Sequence, residues 1–432
     1  MSALFGTAST YYFATRNQQL DFAALSGTVQ ADVCVVGAGL TGVNTALELA
    51  EQGLSVVVLE ARRIAWAASG RNGGQLIRGV GHDLSKFEKY VGAEGVSTLD
   101  QLGIEAVDIV RQRIARYDIA CDLRWGFCEL ANTPRHYQRF IEEKQHLEKS
   151  AYPHALRVVS PDNMHSVVAS DQYVGGLIDE GSGHLHPLNL VLGEVNAAQS
   201  LGVRFFENSE VTRIEYGSQV QVHTSSGTVQ AKTLVLAGNA HLRNLVPALS
   251  GKVLPVGSYI VATEPLSPGL AETLIPENRA LCDQRVGLDY FRLSADRRLL
   301  FGGASRYTGT DPKDIAGYMR PKMLKVFPQL ANTRIDFQWG GMIGVGANRL
   351  PQIGRLPGQA NVYYAQAYSG HGLNTTHMAA RLLGQAICQQ HSQGLDLFNA
   401  VPHMSFPGGE HLRSPLLALG MLWHRLKEVT GL

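Results

Sequence analysis

Three glycines and one acid, Gly37, Gly39, Gly42 and Glu60, have types and spacing that could do chemistry. The glycines lie in "VVGAGLTG" and the acid closes "SVVVLE". In a turn from strand to helix, Gly37 permits the sharp bend and Gly39 lets the backbone approach a pyrophosphate. Gly42 lets the helix pack on its strand. The phosphates then face free N–H groups at the positive helix end. Glu60, eighteen residues beyond Gly42, is placed to accept hydrogen bonds from ribose hydroxyls. An acid there argues against an NADP site and leaves FAD and NAD both open.

A second glycine-rich stretch, "SGRNGGQ" (69–75), follows too closely to belong to the same turn. A flavin ring must be gripped edge-on by main-chain groups while one face stays open, and glycines allow that approach. Ser69 and Asn72 supply small polar contacts for phosphate or ring edge. A third stretch, "YSGHGLN", opens a helix near Leu373. Its N-terminal dipole suits the negative charge that a reduced flavin carries.

The elements that must position these loops are legible in part. Val33, Val35 and Val36 form a strand, and Val43, Ala46, Leu47, Leu49 and Ala50 recur at helical spacing. Gly53 ends that helix, and Leu54 to Leu59 form the next strand. "VTRIEYGSQVQVHTSSGTVQAKTLVLAGNA" reads as a strand meander with a turn at "SSG", then a buried strand ending in Ala237-Gly238-Asn239 that returns to the nucleotide sheet. "NVYYAQAYSGHGLN" repeats the strand–glycine turn–helix design. "LPVGSYIVATEPL" and "LDYFRLSADRRLLFGGASRY" read as antiparallel strands, with "SADRR" as a hairpin turn.

The expected fold class is α/β plus α+β: a Rossmann-like FAD-binding domain with an interleaved antiparallel-sheet substrate domain. Residues 31–85, 155–250 and 350–395 are assigned to the first, and 86–154 and 251–349 to the second or a cap. Residues 1–30 form an N-terminal arm and 396–432 a C-terminal extension. "LLALGMLW" is read as one face of a C-terminal helix.

Composition narrows the partners. The 432 residues carry 38 basic and 37 acidic side chains, a balance that offers no bulk attraction to nucleic acid or acidic membranes. The longest apolar runs fall short of the ~18 residues of a membrane helix. The N-terminus lacks the basic start and apolar centre of a signal peptide. Cys34, Cys121, Cys128, Cys282 and Cys388 are scattered without a CxxC pair, which fits a reducing cytoplasm better than a disulfide framework or a zinc site.

As a set, the early fingerprint, "SGRNGGQ" and "SGHGLN" resemble the FAD-dependent amino-acid and amine oxidase family, which includes D-amino-acid oxidase, glycine oxidase and monomeric sarcosine oxidase. Within it, "SGRNGGQ" and "WGGMIGVGANRLPQIG" look most like gamma-glutamylputrescine oxidases and related polyamine-catabolic enzymes. The resemblance covers roughly residues 9–390. It implies that Gly37, Gly39, Leu40 and Thr41 hold the pyrophosphate, and Glu60, Ala61 and Arg62 the adenosine. Ser69, Asn72, Gly73, Gly74, Gln75 and Leu76 would line the flavin. Val211 would touch the adenine side, Ala237 and Gly238 the flank, and Gly370, His371, Gly372, Leu373 and Asn374 the pyrimidine end. In that family the antiparallel sheet roofs the flavin, which makes Tyr259, Tyr290, Phe291 and Trp339 aromatic candidates for the substrate pocket. Arg292 is a candidate anchor for an anionic substrate end, and His371 a candidate cofactor contact.

Two departures shape the expected activity. Amino-acid oxidases clamp the substrate carboxylate with an arginine, whose place here falls near Ile343-Gly344; Arg349 lies closer to the proline of "PQIG". An amine without an α-carboxylate therefore fits better than a free amino acid. Sarcosine oxidase carries a lysine over the flavin, and Leu299 to Ala304 offers none. The expected chemistry is hydride transfer from an unprotonated amine to flavin N5, imine hydrolysis to an aldehyde, and reoxidation by dioxygen with release of hydrogen peroxide. The alternatives are a dehydrogenase serving another acceptor, and a reductase or hydroxylase using NAD(P)H. "GGMIGVG" is read as a bend in the catalytic sheet rather than a second nucleotide site, because a proline follows where a helix would have to grow.

Overall fold

The computed structural model describes residues 10–81, 83–285, 287–306, 312–388 and 392–407, so the expected "LLALGMLW" helix lies outside the described residues. The strands divide between an eight-stranded and a nine-stranded sheet. The first sheet is centred on Gly27–Val36, which pairs in parallel with Val56–Leu59 on one side and Gly227–Leu236 on the other. Arg204–Phe206 extends it beyond Val56–Leu59, and Val362–Gln366 beyond Gly227–Leu236, both in parallel. The expected return of the Thr233 strand to the nucleotide sheet is thus realised, and "SSG" turns an antiparallel hairpin between Val220–His223 and Gly227–Leu236.

Alternation along the central strands separates two apolar layers. Val33, Val35, Val56 and Val58 face the helices Leu40–Glu51, Pro187–Ser200 and Gly372–Ile387. Cys34, Val57 and Leu59 face the meander with Val220 and Val222. Strands covered on both faces read as unbroken apolar runs, and Val56–Leu59, "VVVL", is fully buried. Each such side chain contributes ~1.5–3 kcal/mol by leaving water.

The second sheet runs Ile335–Gly346, Val253–Thr263, Leu299–Arg306, Asp289–Leu293, Ala280–Asp283, Arg124–Leu130, Gly176–His184 and Gln75–Leu76 from edge to edge. Leu156–Val159 also pairs with Gly176–His184. Leu156–Val159 and Gly176–His184, expected with the nucleotide domain, therefore hydrogen-bond into the other sheet. The buried run of Gly176–His184 marks a strand, but its pattern carries no information about which sheet receives it. "GGMIGVG" is no bend: Ile335–Gly346 continues as one strand paired with Val253–Thr263.

The expected N-terminal arm is anchored. Tyr12 is fully buried beneath Trp339, with ring centroids 5.4 Å apart, and its hydroxyl accepts a hydrogen bond from Arg292 at 3.2 Å. Within residues 86–154 lie the helices Glu88–Arg116 and Pro134–Lys149, the former kinked at Gly92 with φ 71°.

Candidate active site

A cleft of about 2670 Å³ runs from the C-terminal end of the first sheet to the second. It exceeds the ~300–1,000 Å³ of an ordinary ligand site, leaving room for a dinucleotide and a further small molecule. At its first end the glycines meet tight backbone. Gly37 has φ 106°, and a Cβ there would lie 3.0 Å from the carbonyl oxygen of Ala237. A Cβ on Gly42 would lie 1.8 Å from the Gly37 oxygen, so the helix sits directly on its own turn. At Gly39 the missing Cβ leaves room for Ser69, whose hydroxyl accepts the Leu40 N–H at 2.9 Å. Ser69 thus satisfies one of the orphan donors at this helix start. Glu60 accepts the Ala38 N–H on Oε2 and the Arg62 N–H on Oε1, each at 2.9 Å. Burial pushes its carboxyl above the usual range, and those two bonds pull it back.

The 69–75 stretch crosses from one sheet to the other, ending as Gln75–Leu76 paired with Gly183 and His184. Asn72 ties the loop to itself: its amide donates to the oxygens of Ala68 and Ser69, and its own oxygen accepts the Gly74 N–H. Gly73 lies against Tyr290, whose ring a Cβ would meet at 2.6 Å. Gly74, with φ 70°, is closed off by the Leu185 oxygen at 2.2 Å from such a Cβ.

The late loop reaches the same cleft from the opposite side. Tyr368 shares a 2.8 Å hydrogen bond between hydroxyls with Thr41, and Ala367 donates to Asn239 Oδ1 at 3.0 Å. His371 sits at the start of the Gly372–Ile387 helix, and Asn374 donates to the Gly79 oxygen at 2.9 Å.

Register in the second sheet decides which side chains face the cleft. Glu129, Cys282, Tyr290, Gly302 and Ile260 stand opposite one another across five strands, so they share a face. The ring of Tyr290 lies across Gly302, where a Cβ would come within 2.2 Å of it. Tyr259 is one residue out of phase and packs in the far core, edge-on to Tyr318. Phe291 stacks on Phe301 in that same core. Trp339 shares the Ile260 face but is buried over Tyr12, with its indole N–H on the Arg71 oxygen at 3.0 Å. Arg292 points beneath the glycine loop, donating to the oxygens of Gly73 at 2.7 Å and Leu185 at 2.8 Å.

The cleft wall therefore gathers Tyr290 and His371 but excludes Tyr259 and Trp339. Gly37, Gly39, Leu40, Thr41, Glu60, Ala61, Arg62, Ser69, Asn72, Gly73 and Gln75 line it, as do Val211, Ala237, Gly238 and 370–374. Gly74 and Leu76 turn away from it, Leu76 into the helical core. Sequence reasoning missed Trp66, His241, Ser258, Cys282, Gln284 and Glu129, all on the wall. A lone acid between the apolar Cys128 and Leu130 was the signal for the last.

The sequence pattern of the family described as "DAO: FAD dependent oxidoreductase" matches residues 32–386. The chain belongs to this family. It is 42% identical over 424 residues to gamma-glutamylputrescine oxidoreductase of Escherichia coli (strain K12), covering 98% of this chain and 99% of that protein. It is 38% identical over 424 residues to a probable oxidoreductase, OrdL, of Haemophilus influenzae (strain ATCC 51907 / DSM 11121 / KW20 / Rd), covering 97% of each. The fold matches that of glycine oxidase from Geobacillus kaustophilus, with TM-score 0.72, 19% identity, and coverage of 87% of this chain and 100% of that one.

This family member uses FAD, and its residues fit that group. Each oxygen of Glu60 holds one backbone N–H and retains acceptor capacity on the cleft wall, as ribose hydroxyls require. The Leu40 and Gly372 helix ends would hold the anionic parts. Beside Arg62, whose guanidinium lies 4.4 Å from the Trp66 ring centre, Trp66 and His241 pack at 5.4 Å. Burial holds His241 low, at about 4, with Arg243 and Arg62 adding to the effect, so a neutral ring stands beside Trp66 on the cleft wall.

Charged side chains cluster at the second-sheet end. Arg78 meets Glu143 at 2.6 Å, Asp179 at 3.1 Å and Glu129 at 4.0 Å. Gln284 donates to Glu129 at 2.6 Å. Arg285 is neutralised separately by Asp283 and Asp289. Three acids thus surround one guanidinium, while Arg139 and Lys313 also line this end of the cleft. Among the described residues no helix is long and apolar enough to cross a membrane, and no group of acids, histidines and cysteines could hold a metal ion.

Proposed function

We propose that this FAD-dependent oxidoreductase oxidises the terminal primary amine of a linear polyamine derivative, of the gamma-glutamylputrescine class. The observation that carries the reading is the row Tyr290–Cys282–Glu129 across the cleft wall. It sets the backbones of Tyr290 and Glu129 about two strand spacings, ~10 Å, apart, with the phenol leaning the other way over Gly302, a span suited to an extended aliphatic chain with a cationic group near Glu129. Ile343 and Gly344 line the cleft where an amino-acid oxidase would present its arginine, so an α-carboxylate gains no clamp there. The 42% identity to a gamma-glutamylputrescine oxidoreductase supports the same substrate class.

Bound FAD supplies a two-electron acceptor for the hydride on the carbon bearing the amine. The chain's own residues position and shield. The Ser69–Asn72 loop fixes the main chain on one side, Tyr290 stands over Gly73 on the other, and His371 closes the late edge. Their contribution is orientation and electrostatic preorganisation rather than proton shuttling. The net reaction converts amine, water and dioxygen to aldehyde, ammonia and hydrogen peroxide. The scattered free cysteines support a reducing cytoplasm as its location.

A second reading replaces dioxygen with another electron acceptor. Lys313 is the lysine on the described cleft wall, and the Leu299–Arg306 strand brings none. Peroxide release with gamma-glutamylputrescine, putrescine and a free amino acid tests the proposal. Turnover of the gamma-glutamyl amine with peroxide is expected. Turnover supported only by an artificial dye favours the second reading, and preference for the free amino acid overturns the substrate class.

A further inference from the structure

Glu194, on the Pro187–Ser200 helix, is fully buried and touches both helices that start at the cleft. Its Oε1 lies 2.6 Å from His377 Nε2, and its Oε2 accepts the Asn44 amide at 2.9 Å. Asn44 also donates to the Leu40 oxygen at 2.9 Å, and His377 Nδ1 lies 2.8 Å from the Leu373 oxygen. Leu40 and Leu373 belong to the first turns of the Leu40–Glu51 and Gly372–Ile387 helices, and both line the cleft. The carboxylate therefore bridges the two helices one turn below the ends that face the ligand. Above it, Thr41 and Tyr368 form a second rung at 2.8 Å. Arg113 holds the other face of Asn44, donating to its oxygen at 3.1 Å.

Apolar packing between these helices, through Val43, Leu47, Ala379 and Leu383, would by itself tolerate sliding. A buried polar bridge does not, because a small shift leaves donors and acceptors unpaired where water cannot reach them. Helix-end electrostatics fade within one turn, so the relative position of the two ends matters for a ligand held between them.

We propose that Glu194 is a positioning residue for the cofactor: through Asn44 and His377 it fixes the spacing of the two helix N-termini that grip different parts of one FAD. The inference rests on the FAD assignment and not on the identity of the amine.

The test uses purified holoenzyme. Release of FAD after dilution is followed by the gain of free-flavin fluorescence, alongside the visible flavin bands and the midpoint potential. Glu194→Ala is expected to release FAD about tenfold faster and to shift both the bands and the potential, at temperatures where far-UV circular dichroism is unchanged. Glu194→Gln keeps an acceptor for Asn44 but turns an amide toward His377, and should release FAD at a rate between the wild type and Glu194→Ala. Asn44→Ala removes one arm of the bridge and should release FAD at least threefold faster; it decides the matter alone if Glu194→Ala fails to fold. Wild-type release, bands and potential in the alanine variants, with only a lower melting temperature, would overturn the proposal.

Discussion

The hydroxyls of Thr41 and Tyr368 lie 2.8 Å apart although 327 positions separate them in the chain. That contact joins the early glycine turn to the late one, so the two loops form opposite jaws of one cleft. The early jaw is closely fitted, because its helix rests on its own turn with no space between.

Gly42→Ala tests that close fit. The new methyl would start 1.8 Å from the Gly37 oxygen, a backbone atom that cannot swing aside. Overpacking of this kind costs ~1–3 kcal/mol or more. The variant should purify with less than half the flavin content of the wild type and melt earlier. Full flavin occupancy would show that the turn can relax.

Local chemistry made the early jaw legible in the sequence. Gly39, Gly42 and Glu60 work through neighbours within about thirty residues, and although Gly37 meets the distant Ala237 oxygen, the spacing of all four states the turn they make. Tyr259 and Tyr290 were not separable in that way. Which of them meets the cleft depends on strand register, and pairing between Val253–Thr263 and Leu299–Arg306 slips between Gly257 and Tyr259. Arg292 was read as a substrate anchor because its partners, the Gly73 and Leu185 oxygens, lie 219 and 107 positions away. Residues 156–184 show the same limit at the scale of a sheet, since burial marks a strand without naming its neighbour.

A matched pair of tyrosine variants checks the register. Tyr290→Phe removes a hydroxyl that lies on the cleft wall 3.4 Å from Ser258 Oγ, and should lower kcat/KM about threefold to tenfold, the worth of one hydrogen bond of ~0.5–1.5 kcal/mol. Tyr259→Phe alters the far core and should leave kcat/KM within about twofold. Steady-state kinetics with equal flavin loading distinguishes the two. A larger loss at Tyr259 would contradict the strand pairing.

Arg292→Lys separates clamp from anchor. Lysine cannot reproduce the fork that reaches the Gly73 and Leu185 oxygens and the Tyr12 hydroxyl together. Losing bonds made by a buried charge should destabilise the fold by ~1.5–3 kcal/mol in urea unfolding. KM for the amine, measured on the fraction that retains flavin, should change less than twofold. A KM rise of tenfold with unchanged unfolding would restore the anchor role.

Glu129 links substrate charge to pH. Burial first, and then the charge of Glu143, pushes its carboxyl up to about 8, while Arg78 opposes the shift. Below that pH the group is neutral and attracts a cation weakly; above it the carboxylate can pair with an ammonium, which itself persists to about pH 10. KM for a cationic amine should therefore fall as pH rises through about 8. Glu129→Gln should raise KM roughly tenfold above pH 8, consistent with ~1.5–3 kcal/mol for a charged hydrogen bond, and should flatten that limb. The rise of kcat with pH, which reflects loss of the substrate's own proton, should survive the substitution. The sign for stability is the reverse of that for binding. With its folded pKa raised from 4.5, the native state binds the extra proton, so stability is greatest at acid pH and declines as pH climbs through about 8. Without substrate, Glu129→Gln should gain in melting temperature over the wild type between pH 5 and 8. A constant difference across that range, with an unchanged KM profile, would mean that this carboxyl neither stays protonated in the fold nor meets the substrate.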